Sequence, residues 1–498
     1  MNGTVILLII LLYFGILWSI SYFVGKKHSG NAAFFLGNRQ SPWYIVAIGM
    51  IGSSLSGVTF VSVPGWAGST DMTYMQMVFG FVLGYAVIAF VLLPIYYKLQ
   101  LTSIYTYLQN RIGKNAYKTG AGFFLLSRTV GASVRLYVAV WILQTYVFEA
   151  WGVPFVVTAA GFLLMIWLYT HKSGVRAIVW TDLLQTLCLL TALVIIIWQV
   201  AKGLNLDFSG IVSTIRHSEH TQMFVFDDWH TKQNFFKQFI SGCFVTIAMT
   251  GIDQEMMQKN ISCKNLKAAQ KNVCTYSLFF IPVNFLFLCL GILLLNYYSA
   301  HSLALPLTAK GALDGDALLP TLIANNVLGL SATIFFTVGI IAVTFASADS
   351  ALTGLTTSVC VDLLSISQYS EKRAKKIRLS VHWIISVVFI GIMLLFRLIN
   401  STSVIDAIYM IASYTYGPLL GLFAFGILFK RKTDDRYVPF ICLLSPVICF
   451  LLNFFLMRTV RYTMGYELLL LNATLVLTGL LIVSENPSNF VAGRHKRI

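Results

Sequence analysis

The chain reads as an all-α integral membrane protein with thirteen transmembrane helices, and three observations predict this. Of its 498 residues 57% are hydrophobic and 11% are charged, whereas a soluble domain carries about 25% charged residues. The apolar residues fall in runs of about 20, the length a helix needs to cross the hydrocarbon core of a bilayer. Lys and Arg cluster in alternate gaps between those runs. The net charge of +16 is therefore read as topology and not as a nucleic-acid-binding patch.

The first run, 5–24, ends in Gly25-Lys26-Lys27 without a small-residue cleavage site, so it is read as a retained helix rather than a signal peptide. Further runs cover 42–66, 76–97, 119–148, 153–170, 176–201, 236–257, 274–297, 329–362, 379–397, 403–429, 437–457 and 464–484. Gly and Pro inside several of them are tolerated better in membrane helices than in soluble ones. Basic residues follow the odd-numbered runs: Lys26, Lys27 and Arg39, then Lys98, Arg111, Lys114 and Lys118, then Lys172 and Arg176. Lys259, Lys264, Lys267 and Lys271 come next, then EKRAKKIR at 371–378 and KRK at 430–432. The intervening loops are poorer in Lys and Arg, with Arg458 and Arg461 as exceptions. The positive-inside rule then puts the N-terminus outside and the C-terminus inside a plasma membrane, a parity that thirteen spans satisfy. The last run ends near the C-terminus, so no appended soluble domain is expected. The eight cysteines lie in spans or inner loops and none forms CxxC, so neither a disulfide framework nor a metal site is expected. The longest outer stretches are 202–235 and 298–327. Within the second, DALLPTLIANNV reads either as an amphipathic external lid or as an ordinary loop with one short helix.

Polar groups inside the runs mark candidate function, because charge in a bilayer is costly unless compensated. In the second run Gly52, Ser53, Ser54, Ser56, Gly57 and Thr59 crowd the middle. Such residues either let helices pack closely or unwind the backbone, freeing carbonyls that coordinate a cation. Arg128 and Arg135 are seven residues apart in the fourth run and share a face. Arg135 lies about 24 Å along the helix, so it needs an anion: an internal carboxylate or a bound substrate's. Asp182, in the sixth run, reads as a helix cap, a partner of Arg176 or Arg128, or an oxygen ligand for a hard cation. The ninth run carries TFASADSALTGLTT, with Asp349 about 20 Å from Asp362 and thus near mid-membrane. No His/Cys cluster, nucleophile elbow or phosphate loop occurs, so no enzyme chemistry is expected.

Four segments in order resemble the solute:sodium symporter family, which includes sodium-coupled sugar, proline, iodide and sialic acid transporters. They are GSSLSGVTFVSVPG, VRAIVWTDLLQ, TGIDQEMMQKNISCKNLKAAQKN and GDALLPTLIANNVLGLSA. The resemblance spans about residues 36–480. It implies a LeuT-type inverted repeat of five plus five helices, with one helix before and two after: the extra helix at 5–24, repeats at 42–201 and 236–429, and the final pair at 437–484. It implies alternating access driven by sodium as the coupling ion, with no other cofactor, in a monomer.

By position, the family's sodium site falls on the carbonyls of Gly52, Leu55 and Val343 and on two hydroxyls at 346 and 347. Ser347 keeps the second hydroxyl, and Ala346 lacks the first. A second cation site found in some members falls on Asp182, Asp349 and Ser350, with a carboxylate at 349 where a hydroxyl is usual. Asp349 is therefore expected to supply the ligand missing at Ala346; the rival expectations are proton exchange or a permanent pair with Arg128. For substrate, Ser56, Thr59, Phe60 and Pro64 resemble the sialic acid branch, and Arg135 falls where that branch holds a carboxylate. That branch's glutamine falls on Val78, with Gln76 nearby. These residues imply import of a small carboxylate or sugar acid such as sialic acid. The alternative is a neutral sugar or an inorganic anion, with sodium or proton coupling. A channel would need a selectivity filter, which is absent from the sequence.

Overall fold

The structure is a computed structural model describing residues 3–26, 30–55, 57–172, 174–308, 311–399, 404–462 and 464–485. Apolar segments in a bilayer must satisfy their own backbone, and the predicted runs accordingly form helices. In chain order these are α1 (Gly3–Lys26), then α2 (Trp43–Ser54) and α3 (Gly57–Thr70), then α4 (Tyr74–Lys98) and α5 (Lys114–Leu143). Next come α6 (Phe155–Thr170), α7 (Val175–Gly203), α8 (Phe235–Gly251) and α9 (Gln254–Ile261). The second half holds α10 (Leu266–Ala300), a short α11 (Leu318–Ala324) and α12 (Gly329–Leu363). It closes with α13 (Glu371–Ile399), α14 (Val404–Leu428), α15 (Val438–Thr459) and α16 (Leu468–Ile482). Lys432–Thr433 and Ser484–Glu485 add a two-residue antiparallel pairing.

These helices occupy all thirteen predicted runs. Among the described residues nine are long and apolar enough to span, and α6 and α16 are shorter. The other two runs are bent pairs: α2 meets α3 at 59° and α8 meets α9 at 69°. The unwinding that was one of two expectations for the second run shows as the end of α2 at Ser54. The run 236–257 is not the single helix that was expected, because Ile252 and Asp253 leave helical geometry and α9 sets off in a new direction.

Burial separates scaffold from periphery. Over their apolar lengths α14 and α12 are 72% and 67% buried and α15 17%, so α12 and α14 run through the interior and α15 faces outward. Close packing uses small residues: a Cβ on Gly80 or Gly84 of α4 would lie 2.1 or 2.5 Å from the carbonyl oxygens of Phe239 or Cys243 on α8. Helix α11 packs on α3 with Leu318, Leu319 and Leu322 buried. The 298–327 stretch therefore carries a seated short helix.

Candidate ion and substrate site

Helices α2, α7, α9 and α12 meet around the two bends. Helix α2 ends at Ser54, and Leu55 is extended (φ −74°, ψ 139°). Glycine and serine are weak helix formers that offer the backbone other hydrogen bonds, which accounts for the break here. The small residues serve close packing on one face and polar links on another. A Cβ on Gly49 would lie 2.8 Å from Asp182 Cβ, and one on Gly52 2.3 Å from Thr186 Oγ1, so the glycines let α7 approach. The serines carry polar links: Ser54 hydrogen-bonds Tyr276, whose hydroxyl also meets that of Tyr85, tying α2 to α10 and α4.

Asp182 is buried on α7, and its partner is neither Arg176 nor Arg128. Lys259 Nζ donates to Asp182 Oδ2 and to Ser53 Oγ, at 2.6 Å each. Ser53 Oγ also lies 3.1 Å from the same carboxylate oxygen. Lys259 was expected among the loop charges that set topology. The bend at Asp253 instead turns α9 inward, leaving the lysine 3% exposed. A buried ammonium is tolerated because it is paired and hydrogen-bonded.

Asp349 is fully buried on α12, with Oδ2 accepting from Tyr169 (2.7 Å) and Oδ1 from Ser350 (3.0 Å). The expected rival, a permanent pair with Arg128, does not form. Arg128 instead bonds Glu255, with Asp253 Oδ2 at 3.9 Å, and Tyr416 donates to Asp253. Among the described residues no basic side chain is within ion-pair distance of Asp349. Helix α7 packs along α12, bringing Asp182, Asp349 and Ser350 into one neighbourhood. Asp182 Oδ1 is buried without a protein partner, as is Thr353 Oγ1 one turn along α12 from Asp349, oxygen donors of the kind a hard cation prefers. Of the other expected sodium ligands, Val343 and Ser347 are joined by a hydrogen bond from Ser347 Oγ to the Val343 carbonyl (3.1 Å), and Ala346 is fully buried. Gly52 and Leu55 lie at the end of α2, which packs against α12.

A cavity of about 90 Å³ lies between the two bends, lined by Ser54, Thr59, Arg135, Tyr85, Thr250 and Met256 among others. Two of the expected substrate contacts, Thr59 and Arg135, thus line one cavity. Gln76 does not: its side chain is spent on the backbone of Val225 (3.1 Å) and Gln233 (2.7 Å), pinning the 202–235 stretch. Ser56 lies outside the described residues. A larger cavity of about 780 Å³, lined by Trp66, Lys237, Asn453 and Glu467 among others, lies beside it, with Tyr74 lining both. Sequence reasoning missed Lys259, Tyr169 and the Asp253–Glu255 pair. The spacing of Asp253, Glu255 and Lys259 in TGIDQEMMQKN was visible, but nothing local says that this segment folds back; Tyr169 lies far away in the fifth run, and no local signal links it to Asp349.

Comparison with known proteins adds four findings. The sequence model of the sodium:solute symporter family matches residues 34–435. The chain is similar to the sodium/sialic acid symporter SiaT of Proteus mirabilis, 23% identical over 442 residues (86% of this chain, 85% of that one). It is likewise similar to sodium-coupled monocarboxylate transporter 1 of Xenopus laevis, 26% identical over 441 residues (87% and 67%). In fold it matches the solved structure of a Na+-coupled sialic acid symporter in a substrate-bound outward-open state. That match has a TM-score of 0.82 at 18% identity, covering 96% of this chain and 98% of the other.

Proposed function

The chain belongs to the sodium:solute symporter family, a secondary transporter and not an enzyme, and from that premise we propose that it imports a small organic carboxylate with sodium. The observation that carries the substrate class is Arg135 lining a cavity of about 90 Å³ at the junction of two helix breaks. A guanidinium matches a carboxylate in shape and charge. A pocket that encloses a drug-sized ligand measures roughly 300–1,000 Å³, so this one favours a short monocarboxylate over a nine-carbon sugar acid. Sialic acid is the second reading. It is favoured by the SiaT relative and would require the small cavity to open toward the larger one.

Sodium is held by the carbonyls of Gly52, Leu55 and Val343 and the hydroxyl of Ser347, and Asp349 supplies the charge and the ligand lost at Ala346. Charge balance supports one sodium per cycle. Lys259 neutralises Asp182, which leaves the single charge of Asp349 for one monovalent cation. The second cation position at Asp182, Asp349 and Ser350 is thus served by an ammonium of the protein itself.

The two bent pairs open the proposed repeats at 42–201 and 236–429. This supports the five-plus-five arrangement, with α1 before it and α15 and α16 (437–484) after it. The larger cavity is the outer entrance, and the Lys259–Asp182 and Arg128–Glu255 pairs close the inner side. The N-terminus faces out and the C-terminus in, in the plasma membrane, and the working unit is the monomer.

Reconstitution into proteoliposomes with a panel of monocarboxylates, sialic acid and neutral sugars tests this. Uptake of a short carboxylate should require an inward sodium gradient at constant pH. Arg135→Ala should lower it about ten- to a hundredfold, the worth of a charge-assisted hydrogen bond, without creating neutral-sugar dependence on sodium. Normal anion uptake by Arg135→Ala would withdraw the carboxylate reading.

A further inference from the structure

Apart from the transport site, a cavity of about 710 Å³ opens between α1, α6 and α13. Among the described residues one side of it is cationic, with Lys172, Lys372, Lys375 and Arg378 against the carboxylate of Glu371. Arg378 is 2% exposed. Its guanidinium carbon lies 4.2 Å from the Phe34 ring centroid, its Nη1 donates to Asn31 (3.1 Å), and its Nε is buried with no protein acceptor. A buried guanidinium with an unspent donor is costly unless an anion meets it. The other side is apolar and aromatic. Trp18 and Tyr22 of α1 stack at 5.6 Å and are about half exposed, beside Leu168 of α6. Amphipathic aromatics of this kind gather at the level of lipid headgroups.

We propose that this cavity is a binding site for an anionic phospholipid. The phosphate is held by Arg378 with Lys375 and Lys172, and an acyl chain lies along Trp18 and Leu168. Basic pockets between membrane helices take anionic headgroups by this combination of charge and apolar wall. A free phosphate would use the cations but leave the aromatic wall unexplained. The site also has a route to transport. Tyr169 lines the cavity, its carbonyl accepts from Ser21 of α1 (2.5 Å), and its hydroxyl holds Asp349 at 2.7 Å. A lipid seated between α1 and α6 therefore touches the residue that orients the buried carboxylate.

The test is thermal unfolding of the purified full chain in detergent with added phosphatidylglycerol, phosphatidylcholine or inorganic phosphate. The comparison variant is Lys172→Gln/Lys375→Gln, whose two lysines are exposed and so removable without disturbing the fold. Phosphatidylglycerol should raise the unfolding temperature of the wild type and phosphatidylcholine should not. The double variant should need about tenfold more phosphatidylglycerol or more for the same shift, given two lost headgroup contacts. Equal responses to the two lipids, or an unchanged response in the double variant, would overturn the site. A full shift with inorganic phosphate alone would overturn the lipid in favour of a soluble anion. Sodium-driven uptake is not the readout, so failure here is distinguishable from failure of the transport reading.

Discussion

Replacing Lys259 with glutamine keeps a donor on α9 but strands the Asp182 carboxylate. The ammonium lies 2.6 Å from Asp182 Oδ2 and 2.6 Å from Ser53 Oγ, with both ionic side chains at most 3% exposed. Breaking a buried pair from one side costs about 3–5 kcal/mol, against about 0–1 kcal/mol for an exposed pair. The stranded charge has a ready solution, because Asp182 Oδ1 is already a buried acceptor without a protein partner and suits a sodium ion. If sodium fills the place, K259Q is destabilised in choline chloride and recovers in sodium chloride. Sodium at a hundredfold its dissociation constant returns about 2.7 kcal/mol, most of the loss. The uptake assay should then show a second sodium, with the Hill coefficient rising from about 1 toward about 2. Adding Asp182→Asn removes the stranded charge and should abolish the extra sodium dependence, a coupling expected of residues in direct contact. Wild-type stability of K259Q in choline together with an unchanged Hill coefficient would refute the claim that Lys259 stands in for a cation.

Three further outcomes follow from the same geometry. Asp349→Ser should raise the sodium concentration for half-maximal uptake at least about tenfold, the loss of one charge-assisted ligand, and adding Ala346→Ser should restore part of it; unchanged sodium affinity in Asp349→Ser ends the ligand role. Gly52→Ala places a Cβ 2.3 Å from Thr186 Oγ1, so it should cost about 1–3 kcal/mol by overpacking, read as a lowered unfolding temperature that Thr186→Ala partly repairs. Gln76→Ala should leave the substrate KM within about twofold, since the side chain serves the 202–235 stretch, yet should lower thermal stability by about 1–3 kcal/mol for the unpaired backbone groups; a large KM change would return Gln76 to the substrate site.

The sequence by itself determined the helical class, the thirteen runs, the family likeness and the polar residues worth watching. These are local or near-local properties. A span must be apolar over its own length and bond its own backbone, so hydropathy shows it without knowledge of neighbours. The break after Ser54 was legible for the same reason, because Gly and Ser weaken a helix wherever it lies. Only the tertiary structure decided who pairs with whom. Asp182 and Lys259 are 77 residues apart, Arg128 and Glu255 127, and Tyr169 and Asp349 180, so no spacing rule links them. One backbone event, the bend at Ile252–Asp253, turns a lysine that read as a loop charge into the buried partner of Asp182. It also aims Glu255 at Arg128, which leaves Asp349 to two hydroxyls. Burial makes those choices exclusive: a buried charge must find its partner inside the fold, and the direction of α9 settles which partners are in reach.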